Sequence, residues 1–270
     1  MKESIINSVK SLPPLSKTIA EINRVYADSE AGVVEMAKVI EKDPMVVANL
    51  LKAANSPLYG FAKEIKNVTQ AVSLFGLSTT RSIAIGNAVR KLLNVDMEPY
   101  GITSEKFAEI SAIQAALALR WFKKIDPKKA EELHLMAFLQ ETGKILIASD
   151  VIQEDETIAF KSEIEMSNNI AQVEKSFVDT TTSVVSAMVF KHWKFDDEFV
   201  EIIKYGDYPT QAPEEIAEYA QALHIIKTIV PVNKPLTEQS IVFGLQKADK
   251  FGFDHELLED SVDELLEAMN

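Results

Sequence analysis

An all-α fold follows from three features of the 270-residue chain. Glycine is scarce, at 9 residues. Apolar side chains recur at helical rather than alternating spacing, and helix start and stop signals divide the chain into helix-length segments. The predicted architecture is an N-terminal layer of about five helices over residues 1–95, packed on a second helical unit over residues 103–270.

In the first unit, Pro13-Pro14 opens a helix that buries Leu15, Ile19, Ile22 and Val25, an i, i+4, i+7 series. A second helix runs from Gly32 to Lys42, with Val33, Met36, Ala37 and Ile40 facing inward. Asp43-Pro44 supplies a capping carboxylate and then a proline at the first helical position, where its missing N–H costs nothing. The helix it starts carries Val47, Leu50, Leu51 and Ala54 and stops at Asn55-Ser56-Pro57. Leu58, Tyr59 and Phe61 lie in an irregular stretch and are expected to pack between the two units, because large exposed apolar patches are uncommon. Asn67-x-x-Gln70 has capping-box spacing ahead of Ala71, Leu74 and Phe75. Gly76 suits a left-handed residue that closes this short helix, and Ser78 caps another that reaches about Leu93. Residues 95–102, with Pro99 and Gly101, mark the internal boundary.

The second unit opens with an amphipathic helix through Ile110, Ile113, Leu117 and Trp121 that closes at Lys123-Lys124. Asp126-Pro127 repeats the cap-and-proline device ahead of Leu133 and Ala137, and Ile145-Leu146-Ile147 continues in helix after Gly143. Residues 150–180 are polar and accommodate two short helices. Further helices are expected through Val184–Trp193, Glu198–Tyr205, Pro213–Val230 and Glu238–Lys250. A final one sets Leu257, Leu258, Val262, Leu265 and Leu266 against six carboxylates, the pattern of a helix with one packed and one solvated face.

Composition excludes several kinds of chemistry. With no cysteine there are no disulfides, zinc ribbons, iron–sulfur clusters or thiol nucleophiles. A net charge of −13 opposes nucleic-acid binding, since no basic cluster offsets it. No apolar run suits a membrane span and Met1-Lys2-Glu3-Ser4 lacks the order of a signal peptide, so a cytoplasmic location is expected. Phosphate-binding glycine loops and the G-x-S-x-G elbow are absent. His134, His192, His224 and His255 lack the spacing that puts two imidazoles on one helix face, and each reads as a surface or hydrogen-bonded histidine.

A series of short motifs then stands out in order: Leu12-Pro13-Pro14-Leu15, Val39-Ile40-Glu41-Lys42-Asp43-Pro44, Leu50-Leu51, Asn55-Ser56-Pro57-Leu58-Tyr59, Ile65, Ala71 and Leu74-Phe75-Gly76-Leu77. With these, residues 33–89 resemble the N-terminal half of the HDOD family, bacterial domains related to HD-type phosphohydrolases. The second half is similar to the HD-domain-like helical core. The resemblance implies a single HDOD domain with C-terminal helices. In catalytic relatives a histidine, a His-Asp pair and later histidines surround one or two metal ions. The resemblance puts those places on Ile110, on Gln140-Glu141, near Thr182 and on Gly206-Asp207, none of them imidazole. Gly143-Lys144 follows the pair as in the family, and reads as a helix break with a lysine reaching for solvent.

What the resemblance implies is a regulatory module of bacterial signalling without catalytic residues, metal or cofactor. Such a module binds protein partners, a second copy of itself, or a small ligand, and neither nucleic acid nor membrane. The expected ligand cleft lies between the two units, lined by Ile110, Gln140, Glu141 and Lys144, with Lys144 suited to a weakly anionic ligand. The alternative is a residual phosphohydrolase that recruits Mg²⁺ or Mn²⁺ through Glu141 and Asp207, and a third is a purely structural helical scaffold.

Overall fold

A computed structural model describes residues 1–61, 63–92 and 96–269, with 90–92 as backbone alone. Among these residues there is no strand. The first helices are α1 (Glu3–Lys10), α2 (Lys17–Ala27), α3 (Val33–Ile40), α4 (Pro44–Ala54) and α5 (Val68–Leu92). There follow α6 (Ser104–Lys123), α7 (Pro127–Leu139), α8 (Gly143–Gln153), α9 (Thr157–Met166) and α10 (Ile170–Val178). The chain ends with α11 (Thr182–His192), α12 (Asp197–Lys204), α13 (Glu214–Ile229), α14 (Glu238–Phe251) and α15 (His255–Met269). Single 3₁₀ turns occur at Pro57–Tyr59, Glu98–Tyr100 and Pro209–Gln211.

The two Asp-Pro capping devices hold. Asp43 accepts from the N–H groups of Met45 (3.0 Å) and Val46 (3.3 Å), and Asp126 repeats this at α7, so each carboxylate satisfies donors that have no partner within the helix. Asn55 clamps the stretch after α4: its amide donates to the carbonyls of Leu51 (2.8 Å) and Ile65 (2.9 Å) and its oxygen accepts from Ile65 N–H (2.9 Å). Ser56 accepts from Leu58 N–H, and Tyr59 then stands edge-on to Phe75 with its hydroxyl 3.3 Å from His134 Nε2. The turn at Pro57–Tyr59 packs on α6 and α15, so Leu58 and Tyr59 do sit between the two halves of the molecule. All four histidines are hydrogen-bonded, two of them to backbone carbonyls.

Three features go beyond the sequence reading. Gly76 separates two helical segments, as expected, but outside the left-handed well. It takes φ 75° and ψ 172°, a combination open in practice to glycine alone, and puts a kink inside α5. The chain also begins with a helix, α1, that its two buried residues, Ile5 and Val9, are too few to announce. It packs on α8 and α11, with Lys2 paired to Asp150 at 3.1 Å. The third concerns the internal boundary. Leu93 and residue 95 lie outside the described residues, but Pro99 and Tyr100 are buried in a turn packed on α8 and α9. One continuous core runs through both halves, with Trp121, Tyr100, Phe122, Phe160 and Phe190 among its largest wholly buried side chains.

Candidate functional site

The N-terminal end of α8 is drawn unusually close to α11. A Cβ on Gly143 would lie 2.4 Å from the carbonyl oxygen of Thr182 and 2.8 Å from the backbone nitrogen of Ser186, so only glycine fits. Gly143 N–H donates to Ser186 Oγ (2.8 Å), whose hydroxyl donates to Gln140 O (2.9 Å). This crossing brings Lys144, in the first turn of α8, against the start of α11 and the face of α10.

Lys144 therefore does not reach for solvent, as its position after a helix break suggested. Its side chain is 3 % exposed, and its ammonium lies 2.7 Å from Glu174 Oε1, 3.2 Å from Glu141 Oε2 and 3.0 Å from Thr182 Oγ1. Glu174 also accepts from the Tyr100 hydroxyl (3.0 Å), Thr182 N–H (2.7 Å) and Thr182 Oγ1 (2.6 Å). A second lysine, Lys227 on α13, donates to Asp207 Oδ1 at 2.5 Å and lies 3.8 Å from Glu141 Oε2. Asp207 is fixed from the other side by Ser183 N–H at 2.8 Å. Behind this cluster Gln140 Nε2 donates to Gln114 Oε1 (2.9 Å), and Gln114 Nε2 donates to Glu141 Oε1 (3.2 Å) and Val230 O (2.8 Å).

Three carboxylates and two ammonium groups thus share one desolvated site. Burial pushes Glu141 and Asp207 upward, but Lys144 and Lys227 outweigh it and hold both carboxyls below the ordinary range. Burial likewise pushes both lysines down, and the surrounding carboxylates reverse this and raise them. These four side chains are all ionised at neutral pH. The Tyr100 phenol is held well above its ordinary value by burial and by Glu174, so it stays a donor.

Of the positions marked in the sequence, Glu141, Lys144, Thr182 and Asp207 converge in this cluster. Gly206 borders it, accepting from His224 Nδ1 at 2.9 Å through its carbonyl. Gln140 reaches the cluster only through Gln114, and Ile110 is wholly buried in the apolar core. The cleft is also placed differently from the expectation. A cavity of about 600 Å³ has Glu141, Lys144, Asp207 and Lys227 at its floor, and α10, α13 and α14 as walls. Ile110 and Gln140 are not part of its lining, and it does not lie against the N-terminal layer. The motif residues Asp43, Pro44, Asn55, Ser56, Tyr59 and Gly76 shape that layer instead, as caps, clamp, staple and kink.

Glu174 and Lys227 were not singled out in the sequence, although each breaks an apolar stripe. Glu174 follows Ile170 and Val173 and precedes Phe177 and Val178 on the inward face of α10. Lys227 shares the inward register of Ala220, Leu223 and Val230. A charge at such a position needs a buried partner.

The donor set does not fit a divalent metal. Mg²⁺ requires near-octahedral oxygen ligation at about 2.1 Å. Here the carboxylate oxygen without a hydrogen bond of its own, Glu141 Oε2, already faces two ammonium groups at 3.2 and 3.8 Å. No imidazole enters the cluster, and among the described residues no group of three or more His, Asp or Glu side chains is placed to hold a metal ion.

Among the described residues the fold is wholly helical and HD-like, with two lysines inside its carboxylate cluster. A family profile described as the HDOD domain matches residues 12–209, and the chain belongs to that family. The fold is shared with an HDOD domain protein of unknown function from Geobacter sulfurreducens, at TM-score 0.75 and 18 % identity, covering 98 % of this chain and 93 % of that one. It is shared with a candidate phosphohydrolase from Shewanella amazonensis SB2B (TM-score 0.73, 21 % identity, 99 % and 98 % covered). A candidate signal transduction protein from Marinobacter aquaeolei VT8 has the same fold (TM-score 0.71, 21 % identity, 100 % and 60 % covered). An uncharacterized protein of Treponema pallidum (strain Nichols) is 21 % identical over 216 residues, 78 % of this chain, which spans only 40 % of that protein's length. No described helix is long and apolar enough to cross a membrane.

Proposed function

We propose that the protein is a non-catalytic HDOD module of bacterial signal transduction that works by binding a protein partner or a small ligand in the cytoplasm. One observation carries this reading: Lys144 and Lys227 lie 2.5–3.8 Å from Glu141, Glu174 and Asp207, inside the cluster of carboxylates that a metal would need. Hydrolysis at an HD-type centre requires a bound cation to lower the pKa of water and hold the phosphoryl oxygens. An ammonium group supplies the positive charge but has no open coordination position, so it neutralises the cluster without activating water. The paired charges would then hold α8, α10, α11 and α13 in one arrangement. Likeness to the Marinobacter aquaeolei protein supports a place in signalling. The net charge of −13 favours protein or small-molecule partners over nucleic acid.

The test is turnover. Purified protein incubated with Mn²⁺ and bis(p-nitrophenyl) phosphate should release p-nitrophenol no faster than buffer with Mn²⁺ alone. Metal-dependent release that disappears in Asp207→Asn would establish instead the residual phosphohydrolase that uses Glu141 and Asp207.

A further inference from the structure

The cavity above the ion-paired floor is cationic, in a chain whose net charge is −13. Its lining carries five lysines, Lys144, Lys227, Lys234, Lys247 and Lys250, against two carboxylates, Glu141 and Asp207. Glu174, behind the floor, adds a third. Lys144 and Lys227 are committed to those carboxylates. The other three are not: among the described residues no carboxylate lies within ion-pair distance of Lys234, Lys247 or Lys250. In a protein with 41 acidic side chains, three lysines without a carboxylate partner around one cleft are a local concentration of positive charge; Lys234 Nζ is held by the backbone carbonyl of Glu165 (2.8 Å).

Lys247 shows how the charge is kept available. Its ammonium donates to His224 Nε2 (2.8 Å) and to Thr228 Oγ1 (2.9 Å), both neutral acceptors. His224 is fixed in the matching tautomer because its Nδ1–H donates to the carbonyl of Gly206 (2.9 Å). Two N–H bonds therefore position the ammonium without cancelling it, and a third N–H is left for a ligand. Burial, together with Lys250 and Lys227, holds Lys247 below the ordinary lysine range, and burial with Lys247 lowers His224 to about 4, as a positive local potential requires. Lys250 lies one turn further along α14 on the same face. Opposite, the first turn of α10, from Asn169 through Ala171, presents the positive end of that helix to the cavity. Phe243 and Tyr208 line the same space and give it aromatic surface.

We propose that this cleft binds a small molecule carrying two or more phosphate groups, gripped by Lys247 and Lys250 from α14 and Lys234 from the segment between α13 and α14. This deepens the reading of the protein as a binding module and rests on it. Three ammonium groups without carboxylate partners match the charge of a diphosphate, and a half-open cleft of about 600 Å³ between three helices suits a nucleotide-sized ligand rather than a polymer.

Isothermal titration of the whole protein with inorganic pyrophosphate, with ADP and with citrate tests this. One equivalent of pyrophosphate or ADP should bind saturably. K247Q/K250Q, and K250Q alone at its exposed position, should weaken binding, the double variant at least tenfold, with the helical circular dichroism unchanged. K52Q, on exposed α4 surface, should have no effect. Tighter binding of ADP than of pyrophosphate would add a nucleoside to the ligand, and equal binding would limit recognition to the phosphates; both support the site. Absence of saturable binding, equal affinity in K247Q/K250Q, or citrate bound as tightly as pyrophosphate would overturn it. Hydrolysis of ADP or pyrophosphate during the titration would refute the non-catalytic reading while leaving the binding site standing. Loss of binding without turnover would remove the site alone.

Discussion

Replacing Lys227 by methionine keeps most of the side-chain volume and removes one of the two buried cations. Asp207 then loses its 2.5 Å partner and keeps only Ser183 N–H, while Glu141 keeps Lys144 at 3.2 Å. A pair of unit charges about 4 Å apart in surroundings of effective dielectric about 20 interacts by about 4 kcal/mol. Breaking a buried pair by removing one partner costs about 3–5 kcal/mol for the same reason. That is a large part of the roughly 5–15 kcal/mol that stabilises an ordinary domain. The effect must depend on pH. Asp207 has its carboxyl held below the ordinary range in the folded protein, so its contribution is complete above the unfolded carboxylate pKa of about 4 and is lost as pH falls through the folded value. The difference between wild type and K227M should therefore be full at pH 7 and shrink once the pH drops below about 5, where the unpaired Asp207 of the variant takes up a proton. Urea unfolding followed by circular dichroism at pH 7 and pH 4 measures both quantities. D207N/K227M should recover much of the loss, because a pair removed together leaves no stranded charge. A loss under about 1 kcal/mol, or one equal at the two pH values, would mean that Asp207 and Lys227 do not act as a buried ion pair.

Two further outcomes follow from neighbouring features. His134 is wholly buried, with Nε2 bonded to Tyr59 and Nδ1 without a partner, and burial, with a smaller push from Lys123, lowers its imidazole to about 3. The unfolded chain binds this proton near pH 6.5 and the folded one does not, so stability should fall by about 1.4 kcal/mol per pH unit between 6.5 and 3; H134Q should flatten the measured slope by one proton. Gly143→Ala forces a methyl group to 2.4 Å from the Thr182 carbonyl, against backbone that cannot rotate away, and should cost about 3 kcal/mol by urea unfolding; an unchanged midpoint would mean that α8 and α11 do not approach so closely.

What the sequence displays is local. Asp43-Pro44 and Asp126-Pro127 announce their helices because cap, proline and first buried residue lie within one turn of chain. The apolar stripes of α6 and α15 are legible for the same reason, and the order of short motifs points to the family. The site is harder to see because it consists of meetings between distant residues. Lys144 pairs with Glu174 thirty residues away, and Lys227 with Asp207 twenty away. Nothing near Lys144 shows that α8 is pressed onto α11 until Gly143 is set against Thr182. The resemblance implies a cleft beside Ile110, yet an isoleucine placed there gains more by joining the core than by lining a polar cavity. Lys247 and Lys250 carried no signal at all, since lysines on an amphipathic helix are ordinarily solvated.

In the function proposed above, Lys144 and Lys227 fill the space among Glu141, Glu174 and Asp207 that a metal ion would need. Titrating Mn²⁺ into the protein at pH 7.5 while following the electron paramagnetic resonance of the free ion tests it most directly. The signal should rise as it does in buffer, with no stoichiometric uptake. Uptake of one Mn²⁺ per chain that is abolished by both Glu141→Gln and Asp207→Asn would contradict it.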